Sequence, residues 1–224
     1  MVAASASTTI LITGAAGALG QALVRELTDR DVDCVALDRD LRALNAMHDE
    51  LAARGRPPLL VPLDLAGAGP DDYAELAEQL DVQLGRLDGL IHAAADFIAL
   101  QPFEHLPPED WIKTLQAGLT GPFLLSQCLL PLLAKTPDSR MVWVNDDTDQ
   151  LRGAYWGAFG VAQAGREALV SILSAECRTK GVDVVGIDPG PFYSPLRSRI
   201  WPMEHPAELP TAEQAADPII ELFS

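Results

Sequence analysis

The stretch Thr13-Gly14-Ala15-Ala16-Gly17-Ala18-Leu19-Gly20 directly follows the apolar run 9–13 and opens a helical pattern. Its glycines therefore lie where a strand passes into the N-terminus of a helix, the context that makes this motif informative. The first glycine permits a tight turn, the second lets the backbone approach a phosphate, and the third lets the helix pack close to the sheet. Main-chain amides at such a helix N-terminus bind pyrophosphate. We therefore predict a dinucleotide-binding loop with contacts from Gly14, Ala16, Gly17, Leu19 and Gly20.

The rest of the chain repeats the alternation of apolar runs and helical patterns that begins at this loop. Such alternation predicts an α/β protein with a doubly wound parallel sheet of about six strands, a three-layer α/β/α Rossmann fold. The predicted strands are residues 9–13, 33–37, 59–63, 87–92, 140–145 and 182–187. The predicted helices are residues 20–30, 41–54, 71–85, 109–133, 156–180 and 211–223. The glycines and the proline near 118–122 predict that the stretch 109–133 forms two helices.

Size and composition set outer limits on the organisation of the chain. With 224 residues, 48% of them hydrophobic, residues 1–224 are predicted to form a single dinucleotide-binding domain. No apolar run approaches the roughly 20 residues of a membrane span, and the start MVAASASTTI lacks the basic and apolar segments of a signal peptide. We therefore expect a cytoplasmic protein with no membrane partner.

Charge and cysteine usage exclude further classes of function. The formal net charge of −16 would repel a nucleic-acid backbone, so no nucleic-acid partner is expected. A dinucleotide remains compatible with this charge because neutral amides hold its pyrophosphate. Cys34, Cys128 and Cys177 are odd in number and far apart, with no CxxC pair or histidine cluster. They are predicted to be reduced core thiols, and no metal site is expected.

The choice between NAD and NADP depends on the residues that end the second predicted strand. Asp38 lies 24 residues after Gly14, where an acid can bind the ribose hydroxyls and repel a 2′-phosphate. This position favours NAD. The neighbouring Arg39 could instead accept the extra phosphate, so NADP stays possible. Asp38 could also be a loop carboxylate or a helix cap.

With these residues in place, the chain resembles the short-chain dehydrogenase/reductase family over nearly its whole length. The segment Ile187-Asp188-Pro189-Gly190-Pro191 resembles the family's PG motif, and the segment 194–197 resembles its substrate loop. The segments 119–125 and 156–158 are typical of bacterial members, although Ala18 stands where the family usually has its second loop glycine. Beyond the glycine loop and Asp38, the resemblance implies dinucleotide contacts from Asp64, Leu65, Ala93, Ala94, Gln163, Pro189 and Gly190.

The resemblance also places the family's four catalytic residues, and all four are replaced here. Gly118 stands for the family's Asn, and Asp147 stands for its Ser, or Asp146 if the loop shifts by one residue. Phe159 and Gln163 stand for its Tyr and Lys. After the fourth strand the family commonly has Asn-Ala-Gly, whereas this chain has Ala93-Ala94-Ala95 after His92. The family's catalytic tetrad is therefore expected to be absent.

These replacements remove specific chemistry. In the family the Tyr hydroxyl is the general acid or base, and the Lys lowers its pKa and binds the nicotinamide ribose. Phe159 has no proton to give, and Gln163 offers hydrogen bonds but no charge. An ionised Asp147 would oppose an oxyanion unless a raised pKa kept it protonated. Losing one positioned acid costs about 10² to 10⁴ in rate. We expect an inactive or nearly inactive dehydrogenase that acts as a cofactor-linked regulator or as partner to an active relative.

Two other interpretations remain open at this point. One is an atypical NAD(P)-dependent oxidoreductase that acts on an unknown small molecule with Tyr155, Tyr193 or a protonated Asp147 as its acid. The other is a structural subunit whose crevice holds nothing. His92 is interpreted as a strand-end residue rather than a catalyst.

The end of the chain departs from the family as well. The last helical pattern runs to the terminus, so the strand that usually completes the family's sheet is predicted to be missing. In the family, helices matching 120–133 and 156–180 form a subunit interface. The leucines of the first are too many for one buried stripe, which favours a homodimer, unless they only cover the sheet: Leu124, Leu125, Leu129, Leu132 and Leu133.

Overall fold

The computed structural model describes residues 7–223, so residues 1–6, part of the signal-peptide prediction, lie outside the described residues. Six parallel strands form one sheet in the order β3-β2-β1-β4-β5-β6. The doubly wound sheet predicted from the sequence is therefore confirmed. Its strands are β1 (Thr9–Thr13), β2 (Asp33–Asp38), β3 (Leu59–Pro62), β4 (Gly89–His92), β5 (Ser139–Val144) and β6 (Val182–Ile187).

Helices cover both faces of this sheet. The helices are α1 (Ala18–Asp29), α2 (Leu41–Ala52), α3 (Pro70–Leu84), α4 (Pro108–Leu115), α5 (Gly121–Leu133), α6 (Thr148–Leu151), α7 (Gly157–Cys177), α8 (Pro195–Ile200) and α9 (Ala212–Ile220). Short 3₁₀ turns lie at Phe103–His105, Arg178–Lys180, Pro206–Glu208 and Glu221–Phe223. One core joins the sheet to α1, α2 and α9, and another joins it to α3, α5 and α7. The three layers expected from the sequence are thus present.

The strand register fixes where a ligand crevice can form. Strand order reverses between β1 and β4, because β2 and β3 lie on one side of β1 while β4, β5 and β6 lie on the other. Thr13 pairs with His92, and His92 pairs with Trp143, so the carboxyl ends of β1, β4 and β5 stand side by side. Ligands of doubly wound sheets bind outside such a reversal.

The structure corrects several predicted boundaries. β4 begins at Gly89 rather than at residue 87, because residue pairing with β1 and β5 starts there, although the Asp88 amide already donates to the Thr9 carbonyl and the Asp88 carbonyl accepts from the Arg140 amide. The division of 109–133 is a π-helical turn at Gln116–Thr120 rather than a break. Pro122 is tolerated there because it lies in the first turn of α5, where its missing amide has no partner to lose.

The C-terminal segment takes a course of its own. Within residues 7–223 no seventh strand follows β6, which is the arrangement that the sequence predicts. Instead α9 packs against α1, and the Phe223 ring lies against Gly89 of β4. A Cβ built on Gly89 would come within 2.5 Å of that ring. A terminal aromatic side chain therefore covers the start of the central strand.

The leucines of α5 are explained within a single chain. Leu125, Leu129 and Leu133 are 0% exposed and Leu132 is 4% exposed, all in the core shared with α3 and α7. Leu124 is only partly buried but packs against the same core. These leucines cover the sheet, so their number gives no argument for a dimer, and the homodimer stays a prediction. Cys34 and Cys177 are buried as expected, whereas Cys128 is only partly buried.

Two further features concern metal binding and membrane spans. In the part of the chain that the structure describes, no group of three or more His, Cys, Asp or Glu residues is placed to hold a metal ion. None of the helices between residues 7 and 223 combines the length and apolar character needed to cross a membrane.

Candidate functional site

The glycine loop forms the tight turn that its sequence predicts. Gly14 has φ +69°, and the Gly17 amide donates to its carbonyl at 3.0 Å. A Cβ on Gly14 would lie 2.7 Å from the Ala94 nitrogen, and one on Gly20 would lie 2.0 Å from the Gly14 oxygen. Larger residues at these two positions would push α1 and the turn after β4 away from the loop. The close approach predicted from the motif is therefore real at both ends.

The N-terminus of α1 is suited to an anion. The helix begins at Ala18 after Gly17, no side chain caps it, and its first turn contains no acidic residue. Its first amides, including that of Leu19, have no intrahelical acceptor and are free to bind phosphate oxygens. Ala16 differs from the prediction because its amide already donates to Asp38 at 3.0 Å. Ala16 supports the loop and has no free amide for a ligand.

Asp38 has a local structural role at the end of β2. One carboxylate oxygen accepts from the Ala16 amide and the other accepts from the Asp40 amide at 2.9 Å. Arg39 lies beside it and pairs with Asp96 at 3.3 Å and with Asp64 at 4.0 Å. These residues follow β2, β4 and β3 respectively, so the ion pairs connect three strand ends. The place expected for an adenine ribose is thus bordered by both a carboxylate and a guanidinium.

The remaining residues predicted to contact a dinucleotide lie along the same edge of the sheet. Asp64 accepts from the Ala66 amide at 3.1 Å, and Leu65 is buried with its carbonyl accepting from a tyrosine hydroxyl of α3. After β6, the amide of Gly190 donates to Asp188 at 2.8 Å, which fixes the turn that begins with Pro189. Each of these residues follows the carboxyl end of a strand.

Phe159, which the resemblance aligns with the family's tyrosine, is packed inside an aromatic cluster. Its ring is 5% exposed and lies 5.6 Å from the ring of Phe97 and 6.1 Å from that of Trp156. The cavity that remains beside it has a volume of about 20 Å³, enough for roughly one water molecule. The position from which a hydroxyl would act is therefore filled with hydrocarbon. The aromatic cluster comprises Phe97, Leu151, Trp156, Phe159, Leu196, Ile200 and Trp201.

Gln163 and Gly118 lie near one another on α7 and the π-helical turn. Gln163 is 4% exposed, and its Oε1 atom has no hydrogen-bond partner among the described residues. A buried carbonyl oxygen of this kind fits a ribose hydroxyl as its donor. A Cβ on Gly118 would lie 3.2 Å from the Ala162 side chain. Gly118 therefore leaves little space for the asparagine that the family has there.

The two aspartates after β5 have different environments. Asp147 is exposed and caps α6, accepting from the amides of Asp149 at 3.1 Å and Gln150 at 3.3 Å. Asp146 is more buried, and burial raises the pKa of its carboxyl above the ordinary value, with the charges of Asp188 and Asp147 adding to the rise and the Asp147 amide and Arg197 opposing it. Both line an open crevice of about 490 Å³ at the ends of β5 and β6. Of the two alignments, Asp146 is the carboxyl that is better placed to hold a proton.

Neither tyrosine offered as a substitute acid is buried in the crevice. Tyr155 is 59% exposed with φ +76°, and it borders the small cavity beside the aromatic cluster. Tyr193 is 48% exposed, and its amide donates to the Pro210 carbonyl at 2.9 Å.

Arg199 connects α8 to the segment that follows β4. The Arg199 guanidinium donates to the Phe97 carbonyl at 2.7 Å and to the Ile98 carbonyl at 3.2 Å. The following Trp201 ring lies 6.0 Å from the ring of Trp156. The segment that the sequence comparison matches to a substrate loop is therefore closed over the aromatic cluster.

Sequence reasoning did not identify Arg166, which the structure places against the ends of β4 and β5. Its side chain is 1% exposed, and its guanidinium lies 5.5 Å above the Trp143 ring. It donates to the carbonyls of His92 at 2.9 Å and Ala94 at 3.2 Å. The available signal was its spacing, because a residue three positions after Gln163 shares the same helical face.

Comparison with known proteins places this geometry in a wider group. A family profile described as short chain dehydrogenase matches residues 8–205. The uncharacterized oxidoreductase YciK of Escherichia coli is 27% identical over 203 residues, which are 90% of this chain and 80% of that protein. A short chain dehydrogenase structure from Pseudomonas syringae superposes with a TM-score of 0.89 at 31% identity, covering 96% of this chain and 87% of that one. An Escherichia coli structure complexed with NADPH gives 0.89 at 27% identity, covering 96% and 88%.

Proposed function

Because the chain belongs to the short-chain dehydrogenase family, we propose that it binds a nicotinamide dinucleotide but does not carry out the family's carbonyl reduction at an appreciable rate. Family membership confirms the predicted cofactor class, NAD or NADP. The glycine loop, the uncapped start of α1 and the unpartnered Oε1 atom of Gln163 all fit such a ligand. When bound, the nicotinamide ring supplies or accepts a hydride.

One observation carries the proposal that catalysis is lost. Phe159 fills the tyrosine position and is enclosed by Phe97 and Trp156, so no general acid stands where the family's mechanism requires one. Gln163 adds no positive charge that could lower the pKa of a replacement acid. The chain therefore acts as a cofactor-linked regulator or as a partner subunit of an active relative. A homodimer would suit a regulator, and a complex with the active relative would suit a partner subunit.

The preference between the two dinucleotides is part of the proposal. Asp38 places a carboxylate where a 2′-phosphate would lie, which favours NAD. Two structural relatives are complexes with NADP or NADPH, and Arg39 would suit that phosphate. The Arg39 guanidinium is already paired with Asp96 and Asp64. We therefore retain NAD as the preferred ligand.

Calorimetric titration tests the binding half of this proposal. We expect NADH to bind the wild-type chain and NADPH to bind more weakly. Absence of heat with both dinucleotides would reject dinucleotide binding and would leave the structural subunit with an empty crevice as the better interpretation.

A gain-of-function series tests the catalytic half. Phe159→Tyr and Gln163→Lys are combined with either Asp146→Ser or Asp147→Ser, each with and without Gly118→Asn, because that site is tight. We expect NADH-dependent reduction of a carbonyl panel to rise from background in at least one combination. Efficient turnover by the unmodified chain would contradict the proposal.

Asp146 supports a second candidate function, an atypical oxidoreductase. Its raised pKa and its place in the crevice allow it to donate a proton to a substrate oxygen, a role the exposed cap Asp147 fits less well. This candidate predicts slow NADH-dependent turnover that falls as the pH rises and the acid ionises. Asp146→Asn would abolish that turnover, and Asp147→Asn would leave it within a few-fold of wild type.

A further inference from the structure

Arg166 of α7 is a buried cation without an anionic partner. Its side chain is 1% exposed, and burial lowers the pKa of its guanidinium to about 10, so it still carries its charge at neutral pH. No carboxylate among residues 7–223 forms an ion pair with it. A buried charge that lacks a counter-ion opposes folding, so its presence calls for a compensating role.

The Arg166 guanidinium donates two hydrogen bonds to the main chain at the end of β4. Nη2 donates to the carbonyl of His92 at 2.9 Å, and Nη1 donates to the carbonyl of Ala94 at 3.2 Å. These carbonyls are two residues apart, one at the last position of the strand and one in the turn 93–95. The planar fork of an arginine can hold both at once, whereas a lysine offers a single point of contact.

The turn 93–95 is in direct contact with the glycine loop. The Ala94 amide donates to the Thr13 hydroxyl at 3.3 Å, and the missing Cβ of Gly14 would lie 2.7 Å from the Ala94 nitrogen. Any outward movement of Ala94 would therefore leave the Gly14 turn without its neighbour. Asp96, which follows the turn, pairs with Arg39 beside the predicted ribose position.

We propose that Arg166 is a positioning residue that holds the turn 93–95 against the glycine loop and thereby keeps the dinucleotide crevice in its binding shape. The hydrogen bonds run from the guanidinium to the Ala94 carbonyl and from the Ala94 amide to Thr13. The Nε atom of Arg166 has no hydrogen-bond partner among residues 7–223. Within those residues, the guanidinium therefore acts through its two bonds to the His92 and Ala94 carbonyls. Of the two measurements that test this proposal, only the calorimetric measurement of NADH binding rests on the proposed function.

Hydrogen exchange in the absence of any ligand tests the positioning directly. Arg166→Met removes the donors and keeps the length of the side chain, and Arg166→Lys keeps the charge but not the fork. We expect exchange in peptides spanning 12–20 and 92–99 to accelerate about tenfold in Arg166→Met and less in Arg166→Lys, with 121–133 unchanged. Unchanged exchange in both loops would overturn the proposal.

Ser139→Ala is the matched control. The Ser139 hydroxyl also donates to a main-chain carbonyl, that of Leu133 at 2.8 Å, but it does so at the opposite end of the sheet. We expect this control to leave exchange in 12–20 and 92–99 at the wild-type rate. Acceleration of those peptides in the control would show that any buried defect loosens the loop, and would overturn a specific role for Arg166.

Calorimetry with NADH supplies the second readout. We expect Arg166→Met to weaken NADH binding by about tenfold or more at a temperature where circular dichroism shows it folded, and Ser139→Ala to stay within about twofold. Equal affinities for wild type and Arg166→Met would overturn the proposal. If wild type binds no dinucleotide, the proposed function fails, and the exchange data alone decide the role of Arg166.

Discussion

Several polar residues of the crevice are buried with incomplete hydrogen bonding. His92 is 0% exposed, Gln163 4% and Arg166 1%, and each has one polar atom without a partner among the described residues. A buried polar atom is costly until a hydrogen bond or a ligand satisfies it. Protonation and ligand binding at these residues should therefore have larger energetic effects than at the many surface charges.

His92 predicts an acid-sensitive component of stability. Burial lowers the pKa of its imidazole well below the ordinary value, and the nearby Arg166 lowers it further, while Nε2 contacts the Ser126 hydroxyl at 2.8 Å. Below about pH 6.5 the His92 imidazole is therefore protonated in the unfolded chain but stays neutral in the folded chain. The free energy of unfolding is highest above that pH and falls below it, with a limiting slope of about 1.4 kcal/mol per pH unit.

Urea unfolding between pH 7.5 and 5.5 measures this slope. His92→Asn should flatten the slope relative to wild type, because the carboxylates that also titrate are common to both chains. His105→Asn, at an exposed position, is the matched control and should keep the wild-type slope. A wild-type slope in His92→Asn would show that this imidazole is not the acid-sensitive group.

Asp38 predicts a change in cofactor preference. Asp38→Asn removes the negative charge and keeps one oxygen that can accept from the Ala16 amide, so the glycine loop should keep its shape, although the amide nitrogen cannot replace the second acceptor that faces the Asp40 amide. We expect the affinity for NADPH relative to NADH to rise about tenfold, because the repulsion of a 2′-phosphate is relieved. Asp40→Asn makes the same charge change at the N-cap of α2 and should leave the ratio unchanged. Titration calorimetry with both cofactors decides the outcome.

At the scale of whole elements, two short segments decide what the crevice can accept. The glycine loop leaves the first amides of α1 open to an anion. On the other side, α8 and the residue after it close over the aromatic cluster through Ile200 and Trp201. The phosphate side of the crevice is therefore open, whereas the space beside Phe159 is filled.

The hydrogen bonds that Arg199 donates from α8 give a prediction at this scale. Arg199→Ala removes the two hydrogen bonds to the Phe97 and Ile98 carbonyls, so hydrogen exchange in peptides covering 195–205 should accelerate about tenfold. Arg152→Ala is the control, because it removes an exposed arginine whose ion pairs, among residues 7–223, are with Asp149 and Glu167. Equal exchange in the two variants would mean that the aromatic contacts alone hold α8 in place.

At the scale of the whole molecule, residues 7–223 form a sheet of six strands with no seventh strand after β6. The core on one face ends in α9, and the Phe223 ring covers Gly89 at the start of β4. Because parallel strands are buried on both faces, a side chain added at Gly89 has no solvent to turn toward. This contact joins residues that are far apart in the chain and belongs to the tertiary structure as a whole.

Gly89→Ala tests the contact between the Phe223 ring and the start of β4. Its Cβ would meet the Phe223 ring at 2.5 Å and the Ile10 side chain at 3.1 Å, so we expect a loss of about 1–3 kcal/mol in the free energy of unfolding. Combining it with Phe223→Leu should cost less than the sum of the single changes. Gly67→Ala, whose Cβ would meet only Asp64 at an ordinary 3.6 Å, is the control and should be close to neutral. Strict additivity in thermal or urea unfolding would contradict the contact.

The sequence alone determined the fold class, the six strands and the glycine loop. These features are written locally, because strand and helix periodicity and the glycine spacing express the geometry of adjacent residues. The resemblance to the family also predicts four positions at which catalytic residues are replaced. Strand ends shifted by one or two residues because ladder pairing depends on partners that lie elsewhere in the chain.

Only the tertiary structure decided what surrounds those positions. Phe159 meets Phe97 and Trp156, Arg166 reaches the carbonyls of a strand more than 70 residues earlier, and Asp146 rather than Asp147 becomes the more buried acid. Each outcome depends on burial and on hydrogen-bond partners that are distant in sequence. Periodicity and motif spacing carry no information about such partners, because the energy of a buried polar group is set by everything packed around it.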